Sequence, residues 1–171
     1  MDNSFFLGTP AALFIDKTVG KNSKMLSFFV PGIPVPQARM KAARVNGHVR
    51  MYEPKKSREW KQRIEVATAA AMKKENLKPV TEGPVAAQVV VYIPRPKSHF
   101  TSKGNLTKSA PEHHLGRKDL DNFLKLALDG AAPYHPDDKL VTAISAEKHW
   151  ARETPGSGVF IRLISGDAAS G

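Results

Sequence analysis

The sequence contains no cysteine, which excludes a disulfide framework and any zinc–thiolate site. No uninterrupted apolar run approaches the ~20 residues a helix needs to span a bilayer, and no internal repeat is visible. Residues 1–24, MDNSFFLGTPAALFIDKTVGKNSK, lack the basic start of a signal peptide, and Asp16 follows their short apolar stretch. From these absences a cytosolic protein is the expectation. Acid is the scarce charge: 16 Asp and Glu stand against 26 Lys and Arg, a formal balance of +10. A surplus of that size on a small domain points to a polyanionic partner. An anionic membrane is the weaker fit, because the basic residues do not gather on an amphipathic helix with bulky apolar anchors. The plain alternative is a basic protein with no such partner.

The chain has 171 residues, 41% of them hydrophobic, enough for one domain with its own core. Residues 1–24 show no periodicity and read as an N-terminal extension, with Met25 an alternative start; residues 25–165 read as the domain and 166–171 as a flexible tail. Met25–Val30 reads as a first strand, stopped by Pro31, Gly32, Pro34 and Pro36. A basic loop follows from Gln37 to Glu53. A helix is predicted from about Pro54, which suits a first helical position, to Asn76. Along it Trp60, Ile64, Ala67 and Ala71 recur on one face, and Lys73 and Lys74 complement the dipole. Val85–Ile93 is a β-branched strand. The polar stretch Pro94–Lys118 has no periodicity, and a loop of that length in a compact domain is more often functional or mobile. A second helix, about Leu120–Ala131, leads through a turn at Pro133–Asp138 to strands at Leu140–His149 and Val159–Ile164. The order β-α-β-α-β-β predicts a single two-layer α+β domain with a mixed β-sheet and two main helices. Helices between strands favour some parallel pairing, and the last two strands read as a hairpin.

Because acids are few, their clustering matters. Asp119 to Asp138 reads DLDNFLKLALDGAAPYHPDD and holds five of the 16 acids: Asp119, Asp121, Asp129, Asp137 and Asp138. On a helical wheel Leu120, Phe123, Leu124, Ala127 and Leu128 face the core, while Asp121, Lys125 and Asp129 form a polar stripe. Asp119 sits where aspartate caps a helix well, and the Asp137–Asp138 pair could fold back beside the helix N-terminus. Gathered carboxylates repel one another unless neutralised. Mg²⁺ or Mn²⁺ does this through oxygen ligands, and so held it can activate water at a phosphodiester. Lys125, one turn from Asp121, suits a role in positioning water, transferring a proton or neutralising developing charge. D-x-D alone is common and reads better as a solvated face with an Asp cap and an Asp121–Lys125 pair worth roughly a few tenths of a kcal/mol. The full set, in a basic protein, favours a metal site.

The strings RKDLDNFLKLALDGA and HPDDKLV, with GIPVPQARMKAARVNGHVRMYEPKKSREWKQRI upstream, resemble the RusA family of Holliday junction resolvases (crossover junction endodeoxyribonucleases). The resemblance covers about Ser27 to Ile164. It implies that Asp119, Asp121 and Asp138 are catalytic metal ligands and Lys125 the active-site lysine. Asp129 and Asp137 match acids less clearly ligating, and Asn122 looks like a positioning residue. The resemblance further implies a homodimer, bacterial or phage-encoded, that acts on four-way DNA junctions in recombination and repair. It would nick two opposing strands symmetrically with Mg²⁺, or Mn²⁺ as a substitute. The extension 1–24 and the long 97–115 loop depart from the family pattern.

Among the many cations, Arg39, Lys41, Arg44, Arg117 and Lys118 are the expected DNA contacts, while most on the first helix are expected to be merely solvated. The histidines are scattered, and the adjacent His113–His114 pair is poorly placed to chelate one zinc. Phe100 reads as a loop aromatic before a base wedge, and Trp60 and Trp150 as core. Two rival functions stand beside the resolvase: a branched-DNA binding protein that does not cut, and a nuclease acting on flaps or RNA.

Overall fold

A computed structural model of the chain describes residues 23–116, 118–153 and 156–166. Expectations that fall on residues 1–22, on Arg117 and on residues 167–171 lie outside the described residues. Within them the fold is α+β, with a mixed four-stranded sheet, two helices and a small second sheet.

The sheet is organised by β4 (Val85–Ile93), whose residues are buried save for the half-buried Tyr92. A strand covered on both faces needs a nearly continuous apolar run rather than alternation, and VAAQVVVYI supplies one. On one edge β4 pairs in parallel with β5 (Val141–Trp150). On its other edge it pairs antiparallel with β6 (Gly158–Ser165), which in turn pairs antiparallel with β1 (Lys24–Pro31). The order is β1-β6-β4-β5. The last two strands are therefore not the hairpin expected from sequence, since β4 lies between them. β5 stays at the edge of the sheet, and the chain crosses back so that β6 fills the place between β4 and β1.

The helices are α1 (Lys55–Lys74) and α2 (Leu120–Gly130). Pro54 is the N-cap of α1 rather than its first helical residue. The buried face of α1 is Ser57, Trp60, Ile64, Thr68 and Met72, so Thr68 and Met72 lie deeper than Ala67 and Ala71. On α2 the buried residues are Phe123, Leu126, Ala127 and Gly130. Leu126, outside the expected apolar stripe, is buried, whereas Leu120, Leu124 and Leu128 are only half-buried, because α1 covers α2 on the Gly130 side. The two helices meet where Gly130 abuts Ile64: a β-carbon at 130 would stand 2.6 Å from Ile64 Cβ. The Thr68 hydroxyl lies 2.8 Å from Ile64 O and 3.3 Å from Gly130 O, tying the same contact with a polar link.

The expected basic loop is in fact a hairpin of β2 (Lys41–Val45) and β3 (His48–Tyr52). Its turn residues Asn46 and Gly47 have φ of 51° and 80°, the positive pair that matches strand twist in a two-residue turn. The long stretch between β4 and α2 is also ordered. A 3₁₀ turn at Lys97–His99 is followed by a bridge between Phe100 and Leu106, and Phe100 remains exposed. The stretch closes over Trp150, which is half-buried at the end of edge strand β5 rather than in the core. The rings of His99 and His114 lie 4.9 and 4.4 Å from it and the Arg95 guanidinium 5.3 Å. Trp60, by contrast, is in the core. No helix among the described residues is long and apolar enough to cross a membrane.

Gly130→Ala distinguishes propensity from packing. In an open helix the change stabilises by about 1 kcal/mol; here the new methyl meets Ile64, and a loss of roughly 1–3 kcal/mol is expected in urea unfolding. A gain in stability would show that the helices are not in close contact at this point.

Candidate active site

The helix α2 carries most of the acidic cluster, because it is the crossover that a parallel β4–β5 pair requires. Its start lies by the far end of β5, where Lys148 Nζ donates to Lys118 O at 2.7 Å. Asp119 occupies the N-cap position with extended backbone, but its side chain makes no capping hydrogen bond. Asp121 is exposed, and its one hydrogen-bond partner among the described residues is the Asn122 amide at 3.5 Å. Lys125 is exposed one turn later on the same face. The DLD carboxylates and the lysine are thus uncommitted to the fold.

The two members of the Asp137–Asp138 pair differ. Asp137 caps the 3₁₀ turn Asp138–Leu140: it accepts from the Lys139 backbone N–H at 3.1 Å and pairs with Lys139 Nζ at 2.7 Å. Those two contacts hold its carboxyl below the usual range. Asp138 is exposed, and its side chain makes no hydrogen bond or ion pair among the described residues. The structure therefore occupies the first aspartate in building the turn and leaves the second free.

Asp138 makes itself felt on Asp129 and His135. Burial, then the charges of Asp138 and Glu53, push the Asp129 carboxyl up, with Lys61 and Lys125 opposing. His135 is fully buried, which holds its imidazole below the usual value against the pull of Asp138. Asp129 lies eight residues past Asp121, about 12 Å along the helix axis. The structure thus gathers Asp129, Asp138, Lys125, Lys61 and Glu53 toward the C-terminal half of α2, with Asp119 and Asp121 at its other end.

Gln37 bridges the two ends and was not singled out from sequence. Its backbone N–H donates to Asn122 O at 2.9 Å, and its side-chain amide reaches Asp129 Oδ2 at 3.4 Å. The next residue, Ala38, donates its N–H to Ser57 Oγ at 3.1 Å, and Ser57 is buried in α1. The segment after β1 is therefore stitched to both helices beside the acids. Gln37 Oε1 is buried and makes no hydrogen bond to the described residues. Nothing in the local pattern marks a lone glutamine in a proline-rich run.

The cations divide in the same way. Arg63 donates to Pro31 O and lies over Trp60, Lys61 stands 3.8 Å from Glu53, and Arg95 donates to Pro111 O. These hold the fold together. Arg39, Lys41, Arg44 and Lys118 are exposed and make no ion pair among the described residues, while Arg117 lies outside them. Of the adjacent histidines, His114 is buried against Trp150 and His113 is exposed.

The donor set suits a hard divalent cation: free carboxylates at Asp119, Asp121 and Asp138, and an unmet amide oxygen at Gln37. Among the described residues no three His, Asp or Glu side chains stand close enough together to hold an ion by themselves. An ion such as Mg²⁺ does not need a closed protein cage, since it commonly keeps several waters and takes one or two carboxylates together with substrate phosphate.

Residues 31–163 match the family model described as endodeoxyribonuclease RusA. A relative in Bacillus subtilis (strain 168), the uncharacterized protein YqaN, is 32% identical over 143 residues, which span 82% of this chain and 97% of that one.

The raised Asp129 carboxyl has a consequence for stability. The folded state binds this proton more tightly than the unfolded state, so stability falls as pH rises from about 3.9, the ordinary aspartate value, through the higher folded value. Asp129→Asn removes that slope. Urea unfolding across acidic pH in the presence of chelator should show the variant gaining on the wild type as pH increases; a constant difference would mean that Asp129 titrates alike in both states.

Proposed function

Because this chain belongs to the RusA endodeoxyribonuclease family, we propose that it resolves four-way (Holliday) DNA junctions by metal-dependent phosphodiester hydrolysis, in DNA recombination and repair. The observation that carries this reading is the family match running through the whole acidic motif, from Asp119 to Asp138. The freedom of Asp119, Asp121, Lys125 and Asp138 from structural duties supports it, as does the +10 balance of the chain.

Asp119, Asp121 and Asp138 are the residues we assign to a divalent cation. When bound, Mg²⁺ (or Mn²⁺) supplies the positive charge that acidifies water and offsets negative charge on the phosphate. Lys125, exposed beside Asp121, orients the attacking water or neutralises the charge that builds on the phosphate oxygens. Gln37 holds Asp129 and the end of the β1 segment in register with α2. Hydrolysis forms a phosphorus–oxygen bond to water and breaks the bond to the 3′ oxygen, which takes a proton. The ends are then 5′-phosphate and 3′-hydroxyl. Arg39, Lys41, Arg44, Arg117 and Lys118 contact phosphates, giving affinity without sequence information and a binding constant that falls steeply with salt. A homodimer gives two such sites on a two-fold axis, matching the near two-fold symmetry of the junction and its paired nicks.

The test is a synthetic four-way junction beside a linear duplex of the same sequence, each with Mg²⁺ and with chelator. Paired nicks on the junction alone, and only with Mg²⁺, are expected. Binding without cutting under any metal would replace the resolvase with a branched-DNA binding protein, and equal cutting of the duplex would remove the junction specificity. Asp121→Asn and Asp138→Asn should each slow cutting roughly a hundredfold or more while junction binding is kept. Asp137→Asn, which touches only the Lys139 turn, should leave cutting near wild type; a reversed ranking of Asp137 and Asp138 would overturn the assignment.

A further inference from the structure

The β2–β3 hairpin is packed against no other element: every residue of both strands is exposed except Ala43, which is half-buried. A lone two-stranded ribbon is at best marginally stable in water, so one held out from the domain calls for an occupant. Its composition says which. Arg39, Lys41, Arg44 and Arg50 lie on or next to it, and no Asp or Glu occurs between Pro31 and Tyr52. Its apolar residues are also turned outward, with Val49 65% and Met51 59% exposed. Directly paired residues share a face. Arg44 opposite Val49 and Ala42 opposite Met51 therefore put a guanidinium beside two bare apolar side chains.

The root of the ribbon is fixed. Gln37 and Ala38 are bonded to Asn122 of α2 and to Ser57 of α1, one residue from Asp121. Five residues per strand give a reach of about 17 Å, and a two-stranded ribbon fits a groove about 12 Å wide. We propose that this hairpin is a DNA-entering arm that occupies the opening at the branch point. Its cations meet the phosphates that flank the opening, and Val49 and Met51 meet bases left accessible where the helical stacks separate. The inference rests on the junction reading above. A second copy of the chain is the poorer occupant, since a two-fold contact between hairpins would face arginine and lysine with no acid to neutralise them.

The absence of cysteine allows a single thiol to be introduced by His48→Cys and labelled with an environment-sensitive fluorophore. With chelator present, titration with a four-way junction should shift the emission strongly, and a linear duplex of the same sequence should shift it much less. In unlabelled protein, the Val49→Ser/Met51→Ser pair should lower the ratio of junction to duplex affinity about tenfold. A wild-type junction preference that survives intact in the double variant would overturn this inference alone. So would a label that responds to protein concentration without DNA, which would mark a self-association arm. Wild-type protein that binds junction and duplex alike would overturn the junction reading and this inference with it. The hairpin carries no core residue, so circular dichroism of both variants should match the wild type.

Discussion

Parallel pairing of two strands cannot be closed by a turn; it demands a crossover long enough to return the chain to the starting edge. The structure follows from that constraint. Once β4 and β5 pair in parallel, the segment between them must travel the length of the sheet, and α2 is the return leg. Its position is set by Phe123, Leu126 and Ala127 packed in the core and by Gly130 pressed on Ile64. The face turned away from the core is left to Asp121, Lys125 and Asp129. The acids are thus held by a rigid element whose own stability does not depend on them, which is what a charged site on a small domain requires.

A similar division is seen among other charges. Several paired ones hold a turn or a segment: Asp137 with Lys139, Glu53 with Lys61, Arg63 on a proline carbonyl. Among the charges without an ion pair are those on the D-L-D start of α2, the second aspartate before β5, and the cations of the hairpin. Surface ion pairs of this kind contribute little to stability, so the pairing matters less for energy than for removing charges from the reactive surface. What remains is an acidic α2 face beside a basic ribbon, joined by the Gln37–Ala38 stitch.

Much of this was legible in the chain. Val85–Ile93 coincides with its predicted bounds because a buried central strand shows itself as an unbroken β-branched run. The bounds of α2 were close because 3.6-residue periodicity is local. What the sequence hid is what depends on distant partners. The place of β6 between β1 and β4 follows from which edge of β4 is left free, and neither strand reveals that alone. Leu126 is buried because α1 covers that side of α2, which no wheel of α2 contains. Trp150 sits under a loop whose closing contacts come from Arg95, His99 and His114, far off in sequence. The hairpin is different, since its signal was present. Asn46–Gly47 between Val45 and Val49 is a strong two-residue turn pattern. The dense cations around it mask that pattern, because five-residue strands with exposed, charged faces lack the apolar alternation of a strand packed on a core.

The remaining physical question about the site is why its carboxylates stand apart. Burial already pushes the Asp129 carboxyl up, and Asp138 adds to this through space while Lys61 and Lys125 oppose it. Bringing Asp119 and Asp121 to the same point in the free protein would add more repulsion with nothing to offset it. A marginally stable domain of this size has little reserve against such a charge. Separation along α2 avoids that penalty in the free protein. Gln37 ties the two ends of the helix together, its backbone N–H on Asn122 O and its side-chain amide on Asp129 Oδ2.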